Sequence, residues 1–128
     1  CNPAPVYFMT PAEASLVKYG INSFLAAKVV WFNQWKDMAE SIGARYNVVA
    51  TAIGNDDRIG HSHTKVPGFD GKKGYGGSCF PKDTSAIYNF AGDEALSVLG
   101  EVIKANNIYR SEYDLDDREK EQNIRYVE

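Results

Sequence analysis

One long helical stretch limits the folds that this 128-residue chain can adopt. Thr10, Pro11 and Glu13 form a capping box, with Thr10 as the N-cap, proline at the first helical position and glutamate at the third. Apolar residues then recur at helical spacing as far as Ile42, and Gly43 is a suitable stop. A helix of roughly 30 residues is about 45 Å long. We therefore expect it to pack against another domain or a second copy of the chain.

The rest of the chain also favours helices. Three shorter helices are predicted at 46–53, 79–91 and 93–110. Asp93 is the expected N-cap of the last one. No alternation of apolar and polar residues continues for more than a few positions, so we predict an all-α fold. At 44% hydrophobic the chain has enough apolar material for a core, and we expect residues 1–128 to form a single domain.

Charge and hydropathy exclude several classes of protein. The formal net charge is −3, and no basic stripe of the kind that binds nucleic acid is present. Residues 112–128 hold seven acidic and three basic residues, which favours a polar acidic tail or a solvated helix. No run of about 18 apolar residues occurs, so we expect no membrane span.

The termini and the cysteines indicate the compartment. The sequence begins Cys1-Asn2-Pro3, without an initiator Met and without a secretory signal, so we expect a piece of a longer protein. Its two cysteines, Cys1 and Cys79, do not form a disulfide framework. A Cys1–Cys79 bridge is possible on paper, but we favour a reduced, cytoplasmic protein.

The segment Gly74-Tyr75-Gly76-Gly77-Ser78-Cys79-Phe80-Pro81-Lys82-Asp83 carries the most chemistry. Its three glycines permit positive φ and close approach to the main chain, and Pro81 suits the first turn of a helix. Cys79 is therefore placed at a helix N-terminus beside Lys82, where the helix dipole favours the thiolate. Asp83 follows one turn later. A small, buried and inert cysteine on a glycine-rich turn is the alternative that these residues leave open.

This ten-residue run resembles the catalytic-cysteine signature of the nucleotide-sugar 6-dehydrogenases, the family of UDP-glucose 6-dehydrogenase and GDP-mannose 6-dehydrogenase. The segments 18–26 and 56–60 are similar to the same family, and the resemblance extends over roughly residues 4–110. It implies the family's central helical domain, with a fold like that of the C-terminal domain of 6-phosphogluconate dehydrogenase. It also implies a homodimer built by the long N-terminal helix.

The resemblance implies a covalent mechanism. Oxidising a primary alcohol to a carboxylate takes two hydride transfers, and a thiolate retains the aldehyde between them as a thiohemiacetal that becomes a thioester. Cys79 would be this nucleophile. Lys18 and Asn22 would stabilise the oxyanion and hold the hydrolytic water. Asp83 would assist proton transfer or position that water.

The substrate contacts and the cofactor are also taken from the resemblance. Arg58, Lys82 and the glycine loop of Gly74, Tyr75, Gly76 and Gly77 would contact the nucleotide sugar. Tyr75 and Phe80 favour UDP-glucose over GDP-mannose. The hydride acceptor would be NAD, but no Gly-x-Gly-x-x-Gly follows a strand in this chain. We therefore expect NAD to bind to a domain that is not present here, and the chain alone to be inactive.

Departures from the family pattern keep two alternatives open. Ser15 and Gln34 replace the usual glutamates, and residues 64–73 differ from the usual sugar-nucleotide loop, so one alternative is a helical dimerisation scaffold that has lost the reaction. The other is a hydrolase that pairs Cys79 with His61 or His63. The two histidines without a third ligand are a weak metal signal, and we expect no metal site.

Overall fold

The computed structural model describes residues 8–127, which contain five helices and no strand. The helices are α1 (Pro11–Ser41), α2 (Tyr46–Gly54), α3 (Cys79–Ala91), α4 (Ser97–Arg110) and α5 (Asp117–Glu121). The all-α prediction is confirmed for this part of the chain. Cys1, and with it the possible Cys1–Cys79 bridge, lies outside the described residues.

The long first helix forms as the sequence predicts. The Thr10 amide donates to Glu13 Oε1 at 2.8 Å, and the Glu13 amide donates to Thr10 Oγ1 at 3.2 Å, so both bonds of the capping box are present. The helix continues for 31 residues to Ser41. Gly43 then adopts a φ of 74°, which is a left-handed conformation that glycine tolerates best.

The predicted start of α4 at Asp93 is wrong. The helix begins at Ser97 with Leu96 as its N-cap. The Asp93 carboxylate instead accepts a hydrogen bond from the Tyr88 hydroxyl of α3 at 2.5 Å. A side chain at Gly100 would come within 3.0 Å of this carboxylate, so the missing Cβ lets the two helices meet. Asp93 therefore binds the Tyr88 hydroxyl and does not cap α4.

Helix α1 is the element that the others share, because α2, α3 and α4 all pack against it. One buried cluster joins α1 to α2 and the following loop, and contains Phe32, Ala39, Tyr46, Ala50 and Val66. A second cluster joins α1 to the glycine-rich loop and contains Ala26, Val30 and Tyr75, with Phe80 of α3 and Val102 of α4 packed against it. Both clusters are small, so polar contacts carry much of the remaining packing.

Buried polar side chains hold the loop that leads into α3. Asn33 of α1 accepts a hydrogen bond from the Gly74 amide at 2.9 Å. Asn106 of α4 accepts from the Tyr75 amide at 2.7 Å and donates to the Tyr75 carbonyl at 3.0 Å. Arg110 donates to the Gly74 carbonyl at 2.9 Å. These contacts satisfy main-chain groups that would otherwise be buried without partners.

Arg110 also joins the earlier part of this loop. Its guanidinium donates to Asp70 Oδ2 at 2.8 Å, and its side chain is only 2% exposed. A Cβ at Gly76 would lie 2.4 Å from Arg110 Nη1, so the loop passes directly over the guanidinium. Burial raises the pKa of Asp70, but hydrogen bonds from Arg110 and the Lys72 amide outweigh it, so the net pKa is lowered.

The acidic C-terminal segment is not a solvated tail throughout. Asp116 and Glu119 form a second capping box at the start of α5. Glu119 is 1% exposed and accepts a hydrogen bond from the Tyr126 hydroxyl, and Lys72 Nζ lies 4.0 Å from its carboxylate. Ile124 is buried. The predicted helix is present, but its central carboxylate faces inward because these donors compensate its burial.

We expect Asp70→Asn to lower the free energy of unfolding by about 2 kcal/mol at pH 7, because it leaves the buried Arg110 charge without its carboxylate. The folded-state pKa of Asp70 is lowered. Its stabilisation is therefore full above the unfolded pKa of about 3.9 and is lost as pH falls through the folded pKa. Urea denaturation at a series of pH values measures the difference.

The matched control is Asp57→Asn, since Asp57 is exposed. It should leave the unfolding free energy almost unchanged at every pH. A difference between wild type and Asp70→Asn that grows below pH 4 would contradict the assignment of the stabilisation to the ionised carboxylate.

Candidate active site

Cys79 is the first residue of α3, as the glycine-rich motif predicts. It is exposed, and its Sγ atom lies 4.0 Å from Ser78 Oγ. Gly74 and Gly77 have φ values of 76° and 75°, so the turn that presents the cysteine requires glycine at both positions. The alternative prediction of a buried cysteine is wrong for this structure.

Asn22 and Asp83 meet beside the first turn of α3. Asn22 Nδ2 donates to Asp83 Oδ2 at 2.6 Å, which ties α1 to α3. Asp83 is 2% exposed, and Lys82 Nζ lies 3.8 Å from its other oxygen. Asp83 lies one helical turn after Cys79, so the carboxylate and the thiol belong to neighbouring turns of one helix.

Lys18 lies one turn before Asn22 on α1 but does not join this hydrogen bond. Its side chain is exposed, and its ammonium group lies 5.4 Å from the centre of the Tyr19 ring. No hydrogen bond or ion pair of Lys18 occurs among residues 8–127. Of the four predicted catalytic residues, the structure thus joins Asn22 directly to Asp83, which lies one helical turn after Cys79 on α3.

The predicted substrate residues fall into two groups. Gly74, Tyr75 and Gly77 are buried, and the main-chain groups of the first two are taken by the anchoring side chains. Burial also raises the pKa of Tyr75, whose hydroxyl lies 3.4 Å from Thr84 Oγ1. Gly76 is partly exposed. These positions shape the turn around Cys79.

The two predicted cationic contacts are accessible. The Lys82 side chain is 51% exposed on the first turn of α3. The Arg58 side chain is 88% exposed and pairs with Asp56 two residues earlier, at 2.7 Å. This pairing lowers the pKa of Asp56. Nothing in the described residues holds Arg58 against Cys79.

Both histidines lie in the loop that follows α2. His61 Nε2 lies 2.9 Å from Asn55 Oδ1, and the His63 ring lies 5.8 Å from the Phe80 ring. Burial and the nearby Lys28 lower the pKa of His63. No group of three His, Cys, Asp or Glu side chains suited to a metal ion occurs in the stretch 8–127.

Sequence reasoning missed the side chains that fix the loop. Asn106 and Arg110 are one helical turn apart on α4, and both are buried where an apolar residue is usual. Two polar residues at this spacing on the inward face of a predicted helix are the signal that would have identified them. Within the described part of the chain, no helix is long and apolar enough to cross a membrane.

The sequence of the chain is similar to known proteins of one family. Residues 12–108 match the family model described as the UDP-glucose/GDP-mannose dehydrogenase family, central domain. The chain is 41% identical over 105 residues to UDP-glucose 6-dehydrogenase YwqF of Bacillus subtilis (strain 168), covering 80% of this chain and 23% of that protein. It is 42% identical over 97 residues to UDP-glucose 6-dehydrogenase of Rhizobium meliloti (strain 1021), covering 76% of this chain and 21% of the relative.

A third relative is similar over a slightly longer stretch. UDP-glucose 6-dehydrogenase TuaD of Bacillus subtilis (strain 168) is 41% identical over 109 residues, which are 84% of this chain and 23% of that protein. The chain therefore spans less than a quarter of the length of these relatives. Because the match covers most of its residues, the chain belongs to the UDP-glucose/GDP-mannose dehydrogenase family and contains that family's central domain.

Proposed function

We propose that this chain supplies the nucleophile to an NAD-dependent nucleotide-sugar 6-dehydrogenase that converts UDP-glucose to UDP-glucuronate. Family membership and the names of the relatives support this proposal. The observation that carries it is the 2.6 Å hydrogen bond from Asn22 to Asp83, made one turn beyond an exposed Cys79. That contact ties an amide of α1 to a carboxylate on the turn of α3 that follows the thiol.

In the proposed reaction, the Cys79 thiolate adds to the carbonyl carbon of the aldehyde intermediate. The carbonyl oxygen becomes an oxyanion, which hydrogen-bond donors stabilise. Asn22 is such a donor, and Lys18 would become one by moving from its exposed position. After oxidation to the thioester, water attacks the acyl carbon and the thiolate leaves.

Asp83 suits the hydrolytic half of this scheme. Its carboxylate is almost fully buried, yet it adjoins the exposed turn that carries Cys79. A carboxylate held by an amide on one oxygen keeps the other oxygen free to orient a water molecule and accept its proton. Lys82, at 3.8 Å from that other oxygen, would balance the charge.

The described residues do not fit NAD. A dinucleotide site of the family's kind needs a strand followed by a glycine-rich turn and a helix, and residues 8–127 contain no strand. We therefore assign only the covalent and hydrolytic steps to this chain, and place NAD on a domain outside these residues. An exposed catalytic thiol also works best in a reducing compartment, which supports a cytoplasmic location.

A non-catalytic scaffold is the second candidate. The exposed Lys18, which makes no hydrogen bond or ion pair within residues 8–127, favours it, and so does Ser15 at a position where the family usually has glutamate. The Cys79–histidine hydrolase has less support, since His61 is bonded to Asn55 and the His63 ring packs near Phe80.

The reactivity of Cys79 separates catalyst from scaffold. In a Cys1→Ser background, we expect iodoacetamide to alkylate Cys79 faster at pH 7 than a free cysteine peptide, because Cys79 is exposed at a helix N-terminus and the cationic Lys82 lies in the same turn. Lys82→Gln should slow alkylation about two- to fivefold, in line with ~0.3–1 kcal/mol for one charge at a helix end. Mass spectrometry of timed samples measures both rates.

Lys104→Gln removes an exposed cation from α4 and is the matched control, which should leave the rate unchanged. A Cys79 that reacts no faster than the peptide, and is unaffected by Lys82→Gln, would move the assignment to the scaffold.

We also propose that the chain forms a homodimer through α1. Exposed apolar residues follow one another at steps of four and three along this helix, which is the heptad pattern of paired helices. They are Val17, Ile21, Phe24, Trp31, Trp35, Met38 and Ile42, and their exposed fractions run from 39% to 72%. Lys28 occupies the remaining heptad position, and its ammonium donates to the Ile59 carbonyl at 2.7 Å.

Tryptophan stacking strengthens this surface. The Trp31 and Trp35 rings stack at 5.5 Å, although both remain exposed. A contiguous apolar stripe of this length on one helix is unusual for the surface of a monomer. A second copy presents the same stripe, so a two-fold pairing covers both.

Light scattering coupled to size-exclusion chromatography tests this pairing. We expect wild type to have the mass of a dimer, and Trp31→Glu to have the mass of a monomer, because a buried, unpaired carboxylate is costly at the interface. Val48→Glu, at a 51% exposed position on α2, is the control and should remain dimeric. A monomeric wild type would exclude the dimer.

A further inference from the structure

A cavity of about 380 Å³ lies between α3, α4 and the C-terminal segment, apart from the Cys79 site. Neither Cys79 nor Asp83 lines it. Its volume is within the range of roughly 300–1,000 Å³ that small-molecule sites occupy. Residues 122–126, which form one wall, lie beyond the segment matched to the family.

About half of the cavity lining is polar, and its charged residues are cations. Two cations, Lys82 from α3 and Arg125 from the C-terminal segment, belong to it, and no aspartate or glutamate does. Ser85, Gln122 and Asn123 add neutral hydrogen-bonding groups. Within residues 8–127, Arg125 makes no ion pair and no side-chain hydrogen bond. Arg125 thus has no counter-charge in the lining, while Lys82 lies 3.8 Å from Asp83, which is outside the lining.

The wall that carries Arg125 is fixed in place. Asn107 Nδ2 donates to the Val127 carbonyl at 2.6 Å, and the Ile124 amide donates to the Glu119 carbonyl at 2.9 Å. The Tyr126 hydroxyl donates to Glu119. Burial, followed by this contact with Glu119, raises the pKa of Tyr126, so the hydroxyl stays protonated as a donor. The cavity therefore has defined walls on both sides of its opening.

The nearby carboxylates do not neutralise both cations of the cavity. Glu119 is 1% exposed, and its oxygens accept from the Asp116 amide and from Tyr126. Asp83 is buried on the side of α3 that meets Asn22. Arg125 is thus left to an anion that enters from solvent, and Lys82, at 3.8 Å from Asp83, adds a second positive charge to the site.

We propose that this cavity binds the phosphate group of a phosphate-bearing small molecule between Lys82 and Arg125, with the polar side chains of the C-terminal segment contacting the rest of the molecule. Arginine matches phosphate oxygens with two parallel N–H donors, and lysine adds a point charge. This site goes beyond the proposed reaction, because it requires neither a reactive Cys79 nor a hydride acceptor.

The phosphate has two possible sources. One is the diphosphate of a nucleotide sugar whose sugar end extends toward Cys79, since Lys82 lies in the turn that follows the cysteine. The other is a separate phosphate compound, such as a free nucleotide or inorganic phosphate, that binds independently of the substrate. In both cases Lys82 and Arg125 would bind phosphate oxygens.

Nuclear magnetic resonance of the ¹⁵N-labelled chain tests the site. We expect UDP to shift the backbone amides of Ser85, Gln122 and Arg125, and uridine, which lacks phosphate, to shift them little. Arg125→Gln should weaken UDP binding about tenfold or more, the loss expected for one hydrogen bond to a charged group. Arg45→Gln removes an exposed arginine at the start of α2 and should leave the affinity unchanged.

Thermal unfolding of each variant checks that its fold is retained, and Lys82→Gln provides a second variant on the opposite wall. Equal binding of UDP and uridine would overturn the proposal. So would shifts confined to residues outside the cavity, or an Arg125→Gln variant that is folded and binds UDP as wild type does.

Protection of Cys79 from alkylation then separates the two sources. If the phosphate belongs to the substrate, UDP-glucose slows alkylation of Cys79 in wild type and not in Arg125→Gln. If it belongs to a separate compound, inorganic phosphate shifts the cavity amides while UDP-glucose is also bound. Because the binding measurement does not depend on the reactivity of Cys79, an unreactive cysteine would count against the dehydrogenase and not against this site.

Discussion

The structure depends on the polar anchoring of one loop. Asn33, Asn106 and Arg110 bind the main chain of Gly74 and Tyr75 from two different helices, and all three side chains are buried. Each bond is made to a group that has no partner in a helix or a strand, so losing one leaves an unpaired group in the interior. The position of α3, and with it that of Cys79, follows from these bonds.

Polar anchoring also explains the composition of the motif. At Gly74 a Cβ would lie 2.5 Å from Asn106 Oδ1, and at Gly76 it would lie 2.4 Å from Arg110 Nη1. The glycines are therefore required by the side chains that approach them, as well as by the positive φ at Gly74 and Gly77.

Local rules predicted the elements that depend on local interactions. The capping box of α1 and the start of α3 at Cys79 follow from a few neighbouring residues, and both are present. The start of α4 was wrong because Asp93 bonds to Tyr88 of another helix. The burial of Glu119 could not be predicted from its neighbours in sequence, because Tyr126 and Lys72 approach its carboxylate only in the folded chain. Polar pairs that join separate structural elements leave little trace in a single sequence.

The length of α1 follows from the two faces that it carries. Asn22 and Asn33 are eleven residues apart, about three full turns, and they bond to Asp83 and Gly74 on the same side of the helix. At about 100° per residue, the exposed heptad stripe centred on Trp31 and Trp35 lies roughly 180° away from them. A shorter helix would lose residues from both faces. Because a helix is rigid along its axis, a partner bound to the outer stripe would also stabilise the inner face, and therefore the position of Asp83 beside Cys79.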